Sequence, residues 1–286
     1  NNTAVGYKAG YANTTGANNN FFGYQAGQSN TTGGSNTAMG HNPFSFNTTG
    51  FGNCAFGIQT LYRNTTSNYN TAMGYNALTE NTTGTENVSI GGFTLDANVT
   101  GDYNTAVGTS ALSASTGDAN TAIGRHALKS NTTASNNTAV GYQAGYSNTT
   151  GAALTAVGYV ALTNNTTGNY NTAFGYEAGK GNTTAQLNTF IGFEAGRGTT
   201  TGAINTIVGG RAMKNATTGN SNTGLGYSVM GLLTTGSKNV AVGRDAMAAN
   251  TTASNNVAVG YEAGYNTTTG IFNTFVGNVA GNSNTT

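Results

Sequence analysis

One pattern of apolar and polar residues repeats along the whole chain with a period of 17. Its clearest copy is Asn137-Thr138-Ala139-Val140-Gly141-Tyr142-Gln143-Ala144-Gly145, completed by Tyr146-Ser147-Asn148-Thr149-Thr150-Gly151. With that Asn as position 1, position 4 is apolar in all 17 copies, from Val5 through Val140 to Val276. Position 5 is Gly in every copy, position 8 is Ala in 13, and position 6 is Tyr in eight. Position 9 alternates between Gly and a large apolar residue such as Leu78 or Met213, and positions 12 to 15 mostly read Asn-Thr-Thr-Gly. Fifteen of the sixteen intervals between the position-5 glycines are 17 residues long, and the interval from Gly108 to Gly124 is 16. So strict a period requires each copy to return the backbone to an equivalent place, which is the signature of a stacked-repeat architecture.

The period is too short for the two-helix repeats, which need 33 residues or more. A Gly at a fixed place in every copy also costs a helix roughly 1 kcal/mol each time. Thr-Ala-Val is short, partly β-branched and bounded by Gly, so it reads as a strand. The position-5 Gly reads as a positive-φ turn or a close backbone approach, and Asn-Thr-Thr-Gly as a second turn. Two short strands and two turns per 17 residues predict an all-β fold, a β-solenoid or β-roll of about 17 stacked rungs. At about 4.8 Å per rung the whole would be a rod of roughly 80 Å. Residues 1–286 read as one continuous array with no linker. The chain begins and ends inside a repeat, which suggests a segment of something longer.

Position 1 is Asn in 16 of 17 copies: Asn2, Asn19, Asn36, Asn53, Asn70, Asn87, Asn104, Asn120, Asn137, Asn171, Asn188, Asn205, Asn222, Asn239, Asn256 and Asn273, with Leu154 the exception. Stacked rungs set these amides one above another and predict a structural Asn ladder. Positions 3 and 4 point to opposite faces of a strand. The constantly apolar position 4 is expected to fill the lumen. Position 3, mostly Ala but including Phe21, Phe190, Ile207 and Phe275, is expected to form a second apolar interface with another copy of the chain.

The element Asn-Thr-Ala-Val-Gly-Tyr-x-Ala resembles the head repeats of trimeric autotransporter adhesins, which read roughly Ser-Val-Ala-Ile-Gly-x-x-Ser/Ala in a somewhat shorter unit. It is also similar to the Asn-Thr-Ala-Val-Gly-Tyr-Gln-Ala arrays of phage-tail-fibre-like surface proteins. The resemblance covers the whole chain and implies a left-handed β-roll, a homotrimer, and a place on a cell surface, outside the cell or in a virion fibre.

Composition narrows the chemistry. Charged residues are 7% of the chain and the formal net charge is +1, so there is no basic footprint for nucleic acid. Cys54 is alone, so no disulfide framework and no cysteine-based metal site forms within one chain. No apolar run approaches the roughly 20 residues of a membrane span. His41 and His126 lie in variable positions of distant rungs. Glu177, Glu194 and Glu262 share position 7 and read as solvated charges on a smooth face, without the cleft that acid–base work needs. Neither a phosphate loop nor a calcium-roll signature is present. The expectation is therefore no catalysis, no cofactor and no metal.

One chemical motif does recur. Asn-x-Ser/Thr, an acceptor for N-linked glycan on a surface loop, occurs at position 12 in Asn13, Asn30, Asn47, Asn64, Asn81, Asn98, Asn131, Asn148, Asn165, Asn182, Asn250 and Asn284, and one residue earlier at Asn215 and Asn266. Asn1, Asn87, Asn136 and Asn164 also begin sequons. Turn chemistry alone also favours Asn and Gly here, so a glycan-coated edge and a bare turn stand side by side. The functional expectation is a structural extracellular fibre or adhesin-like shaft that partners itself, with or without covalent glycans on the turn row. Two alternatives are a carbohydrate- or host-binding tail-fibre module acting through the Tyr stripe or turn loops, and an ice-binding solenoid. The latter is set back by the placement of the Thr pair in a turn.

Overall fold

The structure is a computed structural model and describes residues 1–285. It divides into two compact units, residues 1–137 and the described residues from Thr138 onward. In the first unit, strands β1–β8 are Thr3–Val5, Asn20–Phe22, Thr37–Met39, Cys54–Phe56, Thr71–Met73, Val88–Ile90, Thr105–Val107 and Thr121–Ile123. In the second, β9–β17 are Thr138–Val140, Thr155–Val157, Thr172–Phe174, Thr189–Ile191, Thr206–Val208, Thr223–Leu225, Val240–Val242, Val257–Val259 and Thr274–Val276. Within each unit every strand pairs in parallel with the next at unchanged register, for example Thr155↔Thr172 and Ala156↔Ala173. Each unit is thus a β-solenoid in which one 17-residue repeat makes one coil.

Each coil contains one three-residue strand rather than the two expected. The return side is built from turns, yet it still bonds coil to coil. The N–H groups of Gly145, Ser147 and Thr149, at positions 9, 11 and 13, donate to Ala161, Thr163 and Thr166 O at 2.9 Å each. Three left-handed residues per coil bend this side too sharply for a second strand. In the copy that starts at Asn171 they are Glu177 (φ 53°), Gly179 (φ 58°) and Leu187 (φ 59°). Position 5 meets both readings given to it. Its φ runs from +117° to +141°, and a Cβ on Gly141 would lie 2.5 Å from the Gly158 carbonyl oxygen. The short copy drops one Thr of the turn, reading Ser115-Thr116-Gly117, and β7 and β8 regain register at once.

The inside and outside of the strand are the reverse of the expectation. Position 3 faces the lumen: Ala38, Ala72, Ala139 and Ala173 are fully buried, and so is Phe190. Position 4 faces out: Met73 is 47% exposed, Phe174 57% and Leu225 47%. The reason is room. The lumen is already shared by position 3, the buried Ala of position 8 and the buried side chain of position 9, which leaves no space for position 4 as well. Where position 3 is Phe, position 9 of its own and of the preceding copy is Gly, and Ile207 lies over Gly196 of the preceding copy. Phe190 packs against Gly179 and Gly196, Phe21 against Gly10 and Gly27, and Phe275 against Gly264 and Gly281. Where position 3 is Gly224, the sulfur of Met213 and the Cε of Met230 approach to 3.3 Å of the space a Cβ would take. The alternation at position 9 is volume compensation in a close-packed core. Phe21, Phe190, Ile207 and Phe275 are therefore not an association surface; the first three are buried and all four point inward.

This inversion is directly testable. Ala139→Asp places an uncompensated charge in the lumen and is expected to cost about 3–5 kcal/mol, whereas Val140→Asp, on the outer face, stays within about 1 kcal/mol of the parent. Urea unfolding followed by circular dichroism measures both; equal loss in the two variants contradicts the assignment.

Candidate functional site

The Asn residues of position 1 form the expected column, and the backbone takes part in it. The side-chain oxygen of each accepts the backbone N–H of the next coil's Asn: Asn36 N donates to Asn19 Oδ1 at 2.9 Å, and Asn205 N to Asn188 Oδ1 at 2.9 Å. The side-chain NH2 reaches across its own coil to the position-15 carbonyl, as Asn19 Nδ2 does to Gly33 O at 2.8 Å, and in many copies it also donates to the preceding Asn, as Asn120 Nδ2 does to Asn104 Oδ1 at 3.1 Å. Leu154, in the one copy without this Asn, is buried in the same place.

A second column was not foreseen. The position-12 asparagines stack amide on amide inside the coil. In the first unit Asn30 donates to Asn13 at 2.8 Å, Asn64 to Asn47 at 2.9 Å and Asn98 to Asn81 at 3.0 Å. In the second, Asn165 donates to Asn148 at 2.9 Å and Asn182 to Asn165 at 2.8 Å. Each also donates to its own position-15 carbonyl, so Gly33 O accepts Asn19 at 2.8 Å and Asn30 at 2.9 Å together.

This placement corrects the glycan reading. Asn30, Asn47, Asn64, Asn81, Asn98, Asn131, Asn148, Asn165, Asn182 and Asn250 are fully buried, as is Asn87. A glycan on any of these nitrogens would replace a ladder donor and would have no space. Asn13 and Asn284 are half-buried, with Asn13 already in the ladder. Asn215 is exposed and Asn266 half-buried, because in those copies Ala216 and Thr267 occupy the interior position. Asn1, Asn136 and Asn164 are exposed. The Asn-Thr-Thr-Gly element is thus an interior device: Asn builds the column and the first Thr hydroxyl donates to the next coil, as Thr149 Oγ1 does to Thr166 O at 3.0 Å.

The outward surfaces differ from one another. Positions 2 and 4 of the strand carry no charged residue in any copy. Next to them the position-6 rings stack in a column. Tyr142, Tyr159, Tyr176 and Phe193 follow at 5.4, 5.2 and 5.3 Å between centroids, with interplanar angles of 8–15°. In the first unit Tyr7, Tyr24 and His41 stack in the same way at 5.2 and 5.0 Å, which gives His41 a packing role. His126 is half-buried at position 7.

Glu177 and Glu194 are not solvated charges. Both are more than nine-tenths buried and sit under four cations. Lys180 Nζ lies 2.9 Å from Glu177 Oε1, and Arg197 bonds Glu177 Oε2. Glu194 faces Lys214 Nζ at 2.9 Å, Arg211 Nε at 3.4 Å and Arg197 Nε at 3.8 Å. Burial pushes the Glu177 carboxyl up, but hydrogen bonds and charge from Lys180 and Arg197 outweigh it, and the group is held below its ordinary 4.5. For Glu194 the Lys214 ammonium dominates, burial opposes it, and the carboxyl is again lowered. Sequence reasoning missed this cluster because the contacts join residues up to 20 apart, across coils. The available signal was Lys180, Arg197 and Lys214 recurring at position 10 of three successive copies.

Among the described residues, no group of three His, Cys, Asp or Glu could hold a metal ion, and no helix is long and apolar enough to cross a membrane. Set against known families, curated proteins and solved structures, the chain has no match.

Two outcomes follow from this geometry. The position-12 column stops at Asn182, whose Oδ1 is buried without a donor because the next copy has Thr199 there. Thr199→Asn is expected to supply that donor and a second amide to Gly202 O, moving the orphan oxygen one coil on. The gain should be about 1–2 kcal/mol, the worth of two hydrogen bonds, read as a higher urea midpoint at unchanged slope. The glutamates give a pH dependence. Both stay ionised in the fold at a pH where the unfolded chain already binds protons. Their stabilisation is complete above pH 4.5 and falls as pH drops through the lowered folded values. Acid titration of the unfolding free energy should show this decline in the parent and a flatter profile in Glu177→Gln/Glu194→Gln.

Proposed function

We propose that the chain is a structural segment of an extracellular fibre or adhesin-like shaft, without catalysis, and that it associates with further copies of itself through the outward strand face. The observation that carries this reading is that face. Position 4 is Val, Ile, Leu, Met or Phe in every copy, exposed or half-buried, and no charge interrupts positions 2 or 4. In the nine coils of the second unit this face and the position-6 row beside it, whose one charge is Arg244, span about 40 Å by 13 Å, or roughly 500 Å² a side. Two such faces together reach the ~1,000 Å² expected of a specific interface, and an apolar patch of about 500 Å² is often functional. The occupant is a second copy, and the adhesin resemblance favours three chains. Cys54 lies half-buried on this face in the first unit and is a built-in crosslinking probe.

The rival readings are weighed by the same geometry. A sugar-binding aromatic stripe needs open ring faces, and here the rings cover each other and turn their edges outward. Ice binding gains support on one point: Thr138, Thr155, Thr172, Thr189, Thr206 and Thr223 form an outward column on the strand, which the Thr pair of the turn does not. Between them, however, stand position-4 side chains of unequal size, from Val157 to Phe174, which break the flatness that ordered water requires. Thermal hysteresis in solutions of the parent protein would favour the ice reading over the fibre.

Sedimentation velocity tests the fibre reading. The parent should form a defined oligomer, and Val157→Lys/Ile191→Lys/Leu225→Lys should sediment as a folded monomer with unchanged circular dichroism. A parent that stays monomeric at high concentration overturns self-association; an oligomer indifferent to the triple variant overturns this face.

A further inference from the structure

The chain has ten Lys and Arg residues, and four of them, Lys180, Arg197, Arg211 and Lys214, fall within 35 consecutive residues. Three of these occupy position 10 of successive coils of the second unit, so they form a row along one edge at about 4.8 Å per coil. Position 11, beside that row, is Gly in only two of the 17 copies, and those two are Gly181 and Gly198. Losing both side chains there opens a cleft lined by Lys180, Gly181, Arg197, Gly198, Lys214 and the amides of flanking Asn residues.

The cations are not merely neutralised. Two carboxylates, Glu177 and Glu194, face four basic groups, which leaves a local excess of two positive charges. The carboxylates lie beneath, with their side chains 10–11% exposed, whereas the cations keep 30–50% of theirs in solvent. The glutamates therefore act as fixed struts that hold the basic ends in place at the surface. Fixing long side chains beforehand removes part of the ordering cost of binding. The nearest further acid, Asp245, is engaged by Arg244 at 3.0 Å.

We propose that this cleft binds a linear polyanionic polysaccharide, one bearing sulfate or carboxylate groups, laid along the coil axis. The row spans two coil steps, about 10 Å, too long for one small anion to bridge and suited to anionic groups repeated along a chain. A nucleic acid is the weaker fit, because no aromatic side chain lines the cleft to stack a base. The inference does not depend on the fibre reading, since the cleft lies on a different edge from the apolar strand face.

Isothermal titration calorimetry of the full chain with heparin at low ionic strength is the test. The parent is expected to bind, and Lys180→Gln/Lys214→Gln to lose at least about tenfold in affinity while Arg197 and Arg211 still balance the two glutamates. Lys8→Gln/Lys238→Gln removes the same charge elsewhere and is expected to change affinity less than twofold. The single variants Lys180→Gln and Lys214→Gln, each several-fold weaker, serve if the double variant unfolds. Failure of the parent to bind, or equal losses in the two double variants, overturns the cleft. Inorganic sulfate that matches heparin at equal charge overturns the chain ligand, and single-stranded DNA that binds as tightly through the same lysines overturns the polysaccharide assignment.

Discussion

In both units the peptide carbonyl at position 15 accepts side-chain amides from two directions. Gly33 O receives Asn19 and Asn30, Gly101 O receives Asn87 and Asn98, and Ala253 O receives Asn239 and Asn250. This junction is what lets so thin a coil stay closed. One strand of three residues and a lumen of Ala side chains bury little apolar area per coil, and a fully buried apolar side chain stabilises by only about 1.5–3 kcal/mol. The amide columns supply what that core lacks: they satisfy the buried turn, and each links its coil to the next. Their interior setting makes every missing partner costly, so the column tolerates Ser115 or Leu233 in its place more readily than a charged residue.

The junction also explains residue choices that propensity leaves open. Position 15 is Gly, Ala or Ser because the two amides and the next coil's backbone crowd it; a Cβ on Gly33 would come within 2.5 Å of Asn30 Oδ1. Its glycines are absent from the positive-φ set, so it is small for lack of space and not for turn geometry. The single-residue deletion at residues 104–119 falls in the Thr pair and spares the junction, with Asn104 Nδ2 still reaching Gly117 O at 2.9 Å.

With the polar asparagines inside, the outside is left to divide itself. Charges occur only at positions 6, 7, 10, 11, 16 and 17, so the strand face stays apolar and whatever charge the chain has gathers along the other edges. In the second unit that restriction concentrates Lys180, Arg197, Arg211 and Lys214 over Glu177 and Glu194. A repeat that excludes charge from its lumen and from its strand face thus creates both an apolar surface and a local basic edge from a chain of almost zero net charge.

The sequence by itself determined the period, the β-class, the coil and the need for Gly at position 5, because each follows from what every copy must share. It also determined the position-1 Asn column, since an amide repeated once per coil must stack. It did not determine which strand face is inside. Positions 3 and 4 are both apolar, and alternation says only that they point apart. The tertiary structure decided it through volume: positions 3 and 9 fill the lumen together and trade size, and the pairing of Phe190 with Gly179 and Gly196 was a signal present in the sequence but readable only once position 9 is known to face position 3. The same closure drew the position-12 Asn inward, out of reach of any glycan, and set Glu177 and Glu194 under cations from neighbouring coils. Those are contacts between copies, and a pattern that describes one copy does not contain them.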